Sequence, residues 1–250
     1  MLKLENIEVI LGKNNKERKI LNKLNFDVKD GEFALIVGEN GAGKSTLFDA
    51  ISGSIQVNSG KIWLSGQDIT HTLQKHRAKL VSKVMQDPKL GTMENMTILE
   101  NMAFAFKRGQ IRGGEFFSSK HRIRTFKEKL SMLNIGLEDK IQELVSNLSG
   151  GQRQALSILM AILKESKILL LDEITAALDP ASTDSVMELT NQILREKKLT
   201  CIMITHNLSQ AIKYGDSLWF LKNGVFIKKY DKETKSKMTL AELSSKFEEV

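Results

Sequence analysis

The stretch Gly38-Glu39-Asn40-Gly41-Ala42-Gly43-Lys44-Ser45-Thr46 constrains what this chain can fold into more than any other. It fits the spacing G-x-x-x-x-G-K-[ST], follows the uninterrupted apolar run FALIV and opens a helical pattern, which is the strand–turn–helix context in which that spacing binds phosphate. Glycines leave backbone N–H groups free to converge on phosphate oxygens, and the start of the next helix adds partial positive charge. Lys44 is placed to reach the β- and γ-phosphates, and Ser45 to hold Mg²⁺. A continuous apolar run there predicts a strand buried on both faces. The same texture returns at KILLL before Asp172 and at CIMIT before His206. Three such strands alternating with helical segments predict an α/β domain with a largely parallel sheet.

The first 30 residues read differently. Leu2, Leu4 and Ile7, then Ile20, Leu21, Leu24, Phe26 and Val28, alternate with polar residues as in half-buried antiparallel strands, with a polar, basic turn near Asn14 and Asn15 between them. Between Pro88 and about Glu165 apolar residues recur at helical spacing, which predicts an inserted helical subdomain over 87–165 within a nucleotide-binding core of 1–86 and 166–250. Its first helix starts at a capping box, Thr97 with Glu100, and shows the apolar face Leu99, Met102, Ala103 and Phe106. Another amphipathic helix is expected over 239–247. With 250 residues, 41% hydrophobic and 27% charged, the composition excludes disordered and collagenous chains. The longest apolar runs, such as 158–163, fall far short of the roughly 20 residues that cross a bilayer. MLKLENIEVI does not read as a secretory signal, and Cys201, the one cysteine, cannot form an internal disulfide; both fit a reducing cytosol.

A phosphate loop needs a carboxylate at the end of a neighbouring buried strand, and LLLDE supplies Asp172 and Glu173 at the edge where ligands bind in open α/β sheets. Asp172 is expected to hold Mg²⁺ through water and Glu173 to polarise the attacking water as general base; two adjacent acids can also simply mark a solvated strand end. Leu148-Ser149-Gly150-Gly151-Gln152 then leads into a helical run. A Ser hydroxyl and two glycines at a helix start can bind a γ-phosphate, although Ser149 alone also reads as an ordinary helix cap.

In this order the motifs resemble those of the ATP-binding cassette (ABC) ATPases, and the likeness covers essentially the whole chain. It implies a P-loop NTPase (RecA-like) core, ATP and Mg²⁺. It also implies roles for three further residues. Gln86 in VMQDP stands where the family has a glutamine that contacts Mg²⁺ and water; the alternative is a polar loop position. Asp179 stands in the D-loop, and with Pro180 it is equally a helix start, roles that are compatible. His206 stands where a switch histidine contacts γ-phosphate, against a purely structural histidine. One position departs: where most members stack adenine on an aromatic ring, this chain has Leu11, which costs about 1 kcal/mol of stacking and leaves ATP against GTP open. Lys13, Lys16, Arg18 and Lys19 follow closely enough to compensate.

The resemblance implies a head-to-tail homodimer closed by ATP, the signature of one copy completing the site of the other; one set of motifs is half of such a machine. It also implies transmembrane permease subunits, docked at a groove of Gln86, Leu90, Met93, Met96, Phe104 and Phe106, some of which must instead be core. Three segments, QDPKLGTMENMTILENMAFAFKRG, LSGGQRQALSILMA and LLLDEITAALDP, are most similar to import systems encoded with a tryptophan/tyrosine-type solute-binding lipoprotein. That implies an extracytoplasmic solute-binding protein, possible amino-acid transport, and a peripheral place on the cytoplasmic face of the inner membrane. An exporter or lipid-extracting ATPase is the alternative, followed by a soluble nucleic-acid-associated ABC protein. The net charge of +7 argues little for the last, since residues 107–129, 11–23 and 222–237 carry +6, +4 and +4 and the remainder −7. No nucleic acid is expected. The first basic stretch could reach anionic lipid or be merely solvated.

Overall fold

The alternating N-terminal segments form β1 (Leu2–Leu11) and β2 (Arg18–Val28), paired antiparallel with Leu2 opposite Val28 and Leu4 opposite Phe26. The structure, a computed structural model, describes residues 1–12, 17–108 and 119–248. Lys13 and Lys16, the turn at Asn14 and Asn15, and residues 109–118 of the basic stretch therefore lie outside the described residues. The chain continues through β3 (Phe33–Val37), α1 (Lys44–Ser52), β4 (Ser59–Leu64), β5 (Gln67–Asp68), α2 (Gln74–Arg77) and β6 (Val81–Val84). Helical segments follow: α3 (Pro88–Gly91), α4 (Ile98–Phe106), α5 (Lys120–Ser131), a 3-10 turn at Val145–Asn147 and α6 (Gly150–Ile162). Then come β7 (Ile168–Asp172), α7 (Pro180–Lys197), β8 (Thr200–Ile204), α8 (Leu208–Lys213), β9 (Ser217–Lys222), β10 (Val225–Asp231), α9 (Lys232–Ser236) and α10 (Leu240–Glu248).

Two sheets result. The smaller is antiparallel in the order β2-β1-β4-β5; the larger runs β10-β9-β3-β8-β7-β6, with every pairing parallel except β10 on β9. Apolar residues of β1 and β2 pack with α1 against one face of the larger sheet, where Ile36, Leu170, Ile202 and Ile204 point. The opposite face, with Leu35, Leu169, Leu171 and Met203, is covered by Ile158 of α6, Met187 of α7, Ala211 of α8 and Leu243 of α10. This burial on both faces is why β3, β7 and β8 read as continuous apolar runs. Leu99, Met102, Phe126, Leu130 and Leu156 of the helical segments make a separate cluster, joined by Ile193 of α7.

Local chemistry sets the element ends. The capping box of α4 is formed, Thr97 N–H donating to Glu100 Oε2 at 2.7 Å and Glu100 N–H to Thr97 Oγ1 at 3.2 Å; it contributes on the order of 1 kcal/mol. Buried Arg77 donates to the carbonyls of Ala50 and Ile51 at the end of α1, at 2.6 and 3.1 Å, and so fixes the helix that carries the phosphate loop. One hairpin was not anticipated. β9 and β10 are joined by Asn223-Gly224, both left-handed with φ of 48° and 75°, the two-residue turn that this dipeptide favours.

Candidate nucleotide site

The residues 38–43 link β3 to α1, and their geometry is what phosphate binding requires. Gly43, the residue before α1, has φ 104° and the helix start carries no side-chain cap, so its first N–H groups are left to a ligand. Gly38 must lack a side chain, because a Cβ there would come within 2.3 Å of the Leu221 carbonyl oxygen of β9. Glu39, Asn40 and Gly41 are exposed, Ala42 is buried, and Ser45 is exposed with Thr46 half-buried beside it. Lys44 is 6% exposed and folds back on the loop, donating to the carbonyls of Gly38 at 2.6 Å and Glu39 at 2.9 Å. Burial pulls its ammonium below the ordinary lysine value, opposed by the charges of Glu173 and Asp172.

Those two acids stand at the end of β7, as the strand reading expects. Burial raises the Asp172 carboxyl above its usual range, against the pull of Lys83, whose Nζ lies 3.5 Å from Oδ2. Glu173 holds a left-handed φ of 48°, a conformation costing about 1 kcal/mol for a residue with a side chain, and its N–H donates to the Ile204 carbonyl at 3.0 Å. Its Oε1 lies 2.6 Å from His206 Nε2. The two loops are tied by residues the sequence analysis did not single out. Gln210 of α8, 5% exposed, donates from Nε2 to Thr175 Oγ1 at 3.1 Å and accepts from Thr205 Oγ1 at 3.2 Å. A glutamine one turn into a helix gives no sequence signal for this. A cavity of about 520 Å³ opens here, lined by Glu173, Thr175, Thr205 and His206.

The remaining motif residues divide. Ser149 caps α6 in a full capping box with Gln152, its Oγ accepting the Gln152 N–H at 3.2 Å, which leaves the hydroxyl proton free to donate. Leu148 is half-buried against the helical cluster, while Gly150 and Gly151 sit beside Leu178 and Ser182. Asp179 caps α7 through the Ser182 N–H at 3.0 Å, with Pro180 in the first turn; the hydrogen bonds from Ser182 lower its carboxyl pKa. Among the described residues no hydrogen bond or ion pair joins residues 148–152 to the phosphate loop. Gln86 is exposed after β6. Leu11 ends β1, 43% exposed, opposite Arg18 of β2.

The expected docking groove is only partly realised. Leu90, Met93 and Phe104 line a cavity of about 380 Å³, with Lys83, Arg108 and Met160 among its other walls, but Gln86, Met96 and Phe106 do not. Phe106 turns instead onto Phe126 at 5.9 Å, with Arg122 and Lys164 over its ring, because it belongs to the helical cluster.

The donors fit Mg²⁺. Ser45 hydroxyl, Gln86 amide and Asp172 carboxylate are hard oxygen ligands; among the described residues no group of three or more His, Cys, Asp or Glu converges on a metal, and Mg²⁺ bound with nucleotide needs one or two carboxylates besides water and phosphate. Such an arrangement defines a nucleoside-triphosphate hydrolase of the phosphate-loop kind.

Comparison with known proteins narrows the class. The family model of ABC transporters matches residues 21–176. A tyrosine transport ATP-binding protein of Clostridioides difficile is 42% identical over 229 residues, 92% of this chain and 91% of the relative. The thiamine import ATP-binding protein ThiQ of Histophilus somni is 36% identical over 80% of this chain and 89% of its own. Among solved structures, the dimeric post-hydrolysis state of the cassette MJ0796 bound to ADP and Pi aligns with TM-score 0.78 at 26% identity, over 93% of this chain and 99% of that one. The chain belongs to the ABC transporter family and is its ATP-binding, ATP-hydrolysing component. Among the described residues no helix is long and apolar enough to cross a membrane.

Proposed function

We propose that this chain powers solute import, with an amino acid as the transported class, through a separate permease to which an extracytoplasmic solute-binding protein delivers. The observation that carries the hydrolytic part is the Glu173–His206 contact of 2.6 Å at the strand edge beside Asp172 and the loop-bound Lys44. The 42% identity to a tyrosine transport protein supports the amino-acid reading. In it, 1–86 and 166–250 bind nucleotide, and 87–165 carries the signature and faces the permease at the cytoplasmic side of the inner membrane. The groove at Leu90, Met93 and Phe104 receives the permease, apolar and adaptable as such seats are.

The residues divide the work. The N–H groups of 38–46 cradle the phosphates, and Lys44 exchanges the Gly38 and Glu39 carbonyls for β- and γ-phosphate oxygens. Ser45, Gln86 and Asp172 would hold Mg²⁺, which when bound would supply neutralisation of the phosphate charge. Glu173 accepts the proton of the attacking water, and His206 orients that carboxylate and reaches γ-phosphate. Ser149, Gly150 and Gly151 act on the partner copy's nucleotide, the free hydroxyl proton of Ser149 being the donor. Two copies thus close head to tail on ATP and reopen after hydrolysis, with Asp179 at the shared boundary.

Glu173→Gln tests this directly. The variant should bind ATP as the parent does, lose at least 100-fold in turnover, and elute as a dimer on size-exclusion chromatography with ATP. Full ATPase activity in it would remove Glu173 from the role of base.

A further inference from the structure

Lys83 is an unexpected charge. It interrupts β6, whose other residues Val81, Ser82 and Val84 are buried, and its side chain is 17% exposed on the α1 face of the sheet. Its Nζ lies 3.1 Å from Asp49 Oδ1 of α1 and 3.5 Å from Asp172 Oδ2, and 5.9 Å from the centre of the Phe48 ring. The ammonium thus has two carboxylates and a ring to hold it in place. One carboxylate belongs to the helix that the phosphate loop opens; the other is the proposed metal ligand.

We propose that Lys83 is a positioning residue that sets how tightly the site holds its divalent cation, with Asp49 as the tether that fixes and partly neutralises its charge. The proposal rests on Asp172 as a metal ligand. A fixed cation against that carboxylate repels a second cation approaching it, and Lys83 and Asp172 are both largely screened from water, at 17% and 14% side-chain exposure, where such repulsion is least damped. Asp49 pairs with the same ammonium and reduces the repulsion without abolishing it. The arrangement weakens the hold on metal in every nucleotide state and so favours release of the metal with ADP.

The test is Mn²⁺ binding to the full chain with saturating ADP, followed by the electron paramagnetic resonance of free Mn²⁺, so that hydrolysis plays no part. Lys83→Met should lower the half-saturating Mn²⁺ at least fivefold, Asp49→Asn should raise it at least threefold, and Lys83→Arg should stay within twofold of the parent. Asp172→Asn should raise it tenfold or more. If Asp172→Asn weakens binding but Lys83→Met leaves it unchanged or weakens it too, Lys83 does not attenuate the site and the proposal falls alone. If Asp172→Asn has no effect, the ligand assignment falls and the proposal with it. Asp49→Asn and Lys83→Arg keep the question decidable should Lys83→Met fail to fold.

Discussion

At the scale of single residues the position proposed to meet the base is Leu11, which offers an apolar contact and no π face. Its cross-strand neighbour Arg18 is exposed and two residues from Ile20, whose carbonyl lies 3.1 Å from where a Cβ of Gly43 would stand. The end of β1 and the start of β2 therefore border the phosphate loop. If the base lies against this corner, Leu11→Tyr should restore stacking and tighten ATP about fivefold, for about 1 kcal/mol, measured by displacement of a fluorescent nucleotide. Unchanged affinity in a folded Leu11→Tyr variant would place the base elsewhere. Ser149 and Asp179 serve as helix caps whatever else they do, and their capping geometry is complete within one copy.

At the scale of elements, legibility followed burial on both faces. β3, β7 and β8 announced themselves because nothing polar interrupts them, whereas β6 was hidden by Ser82 and Lys83 and β4 by the opening Ser59-Gly60-Lys61. Phe106 illustrates the opposite failure, since helical periodicity cannot separate a residue facing its own subdomain from one facing a groove. The β9–β10 hairpin went unread although Asn223-Gly224 is a hairpin-turn dipeptide, and it matters more than its remoteness in sequence suggests. Gly224 N–H donates to the Ala42 carbonyl at 3.0 Å and its own carbonyl accepts from Asn22 N–H at 3.1 Å, so this turn buttresses the phosphate loop. A Cβ on Gly224 would come within 2.1 Å of the Ile20 carbonyl oxygen, and its φ of 75° disfavours a side chain independently. Gly224→Ala should cost about 2 kcal/mol in urea unfolding and weaken ATP binding tenfold or more, while Asn223→Gly, compatible with the turn, should change neither beyond about 1 kcal/mol. Parental ATP affinity in folded Gly224→Ala would show that the loop does not lean on this hairpin.

At the scale of the whole molecule the +7 charge lies mostly at the surface, and among the described residues Lys235 is the most deeply buried of the basic exceptions, ahead of Arg77, Lys44 and Arg153. Lys235 of α9 is 1% exposed, and its Nζ donates to the carbonyls of Ala211 at 2.8 Å, Ile212 at 3.3 Å and Tyr214, closing the end of α8. It thereby joins the C-terminal segments to the helix whose Gln210 braces the Glu173 and His206 loops. Composition gives no hint of this, because a lysine reads as solvated unless the fold is known. Burial lowers its pKa from 10.5 to about 8, with Asp216 opposing the shift. Below pH 8 both folded and unfolded chains carry the proton, and the full penalty of burying the charge is present. Between pH 8 and 10.5 the unfolded chain binds more protons than the folded one, so stability must rise with pH across that window, by up to about 3 kcal/mol from this group. The rest of the chain carries its own pH dependence, so the comparison is with Lys235→Met, which lacks the group. Urea unfolding at pH 7.5 and pH 10 should show the parent gaining on the variant by about 2 to 3 kcal/mol. Parallel pH dependences would mean that the three carbonyls hold the ammonium charged throughout, and that its burial carries no cost the fold must offset.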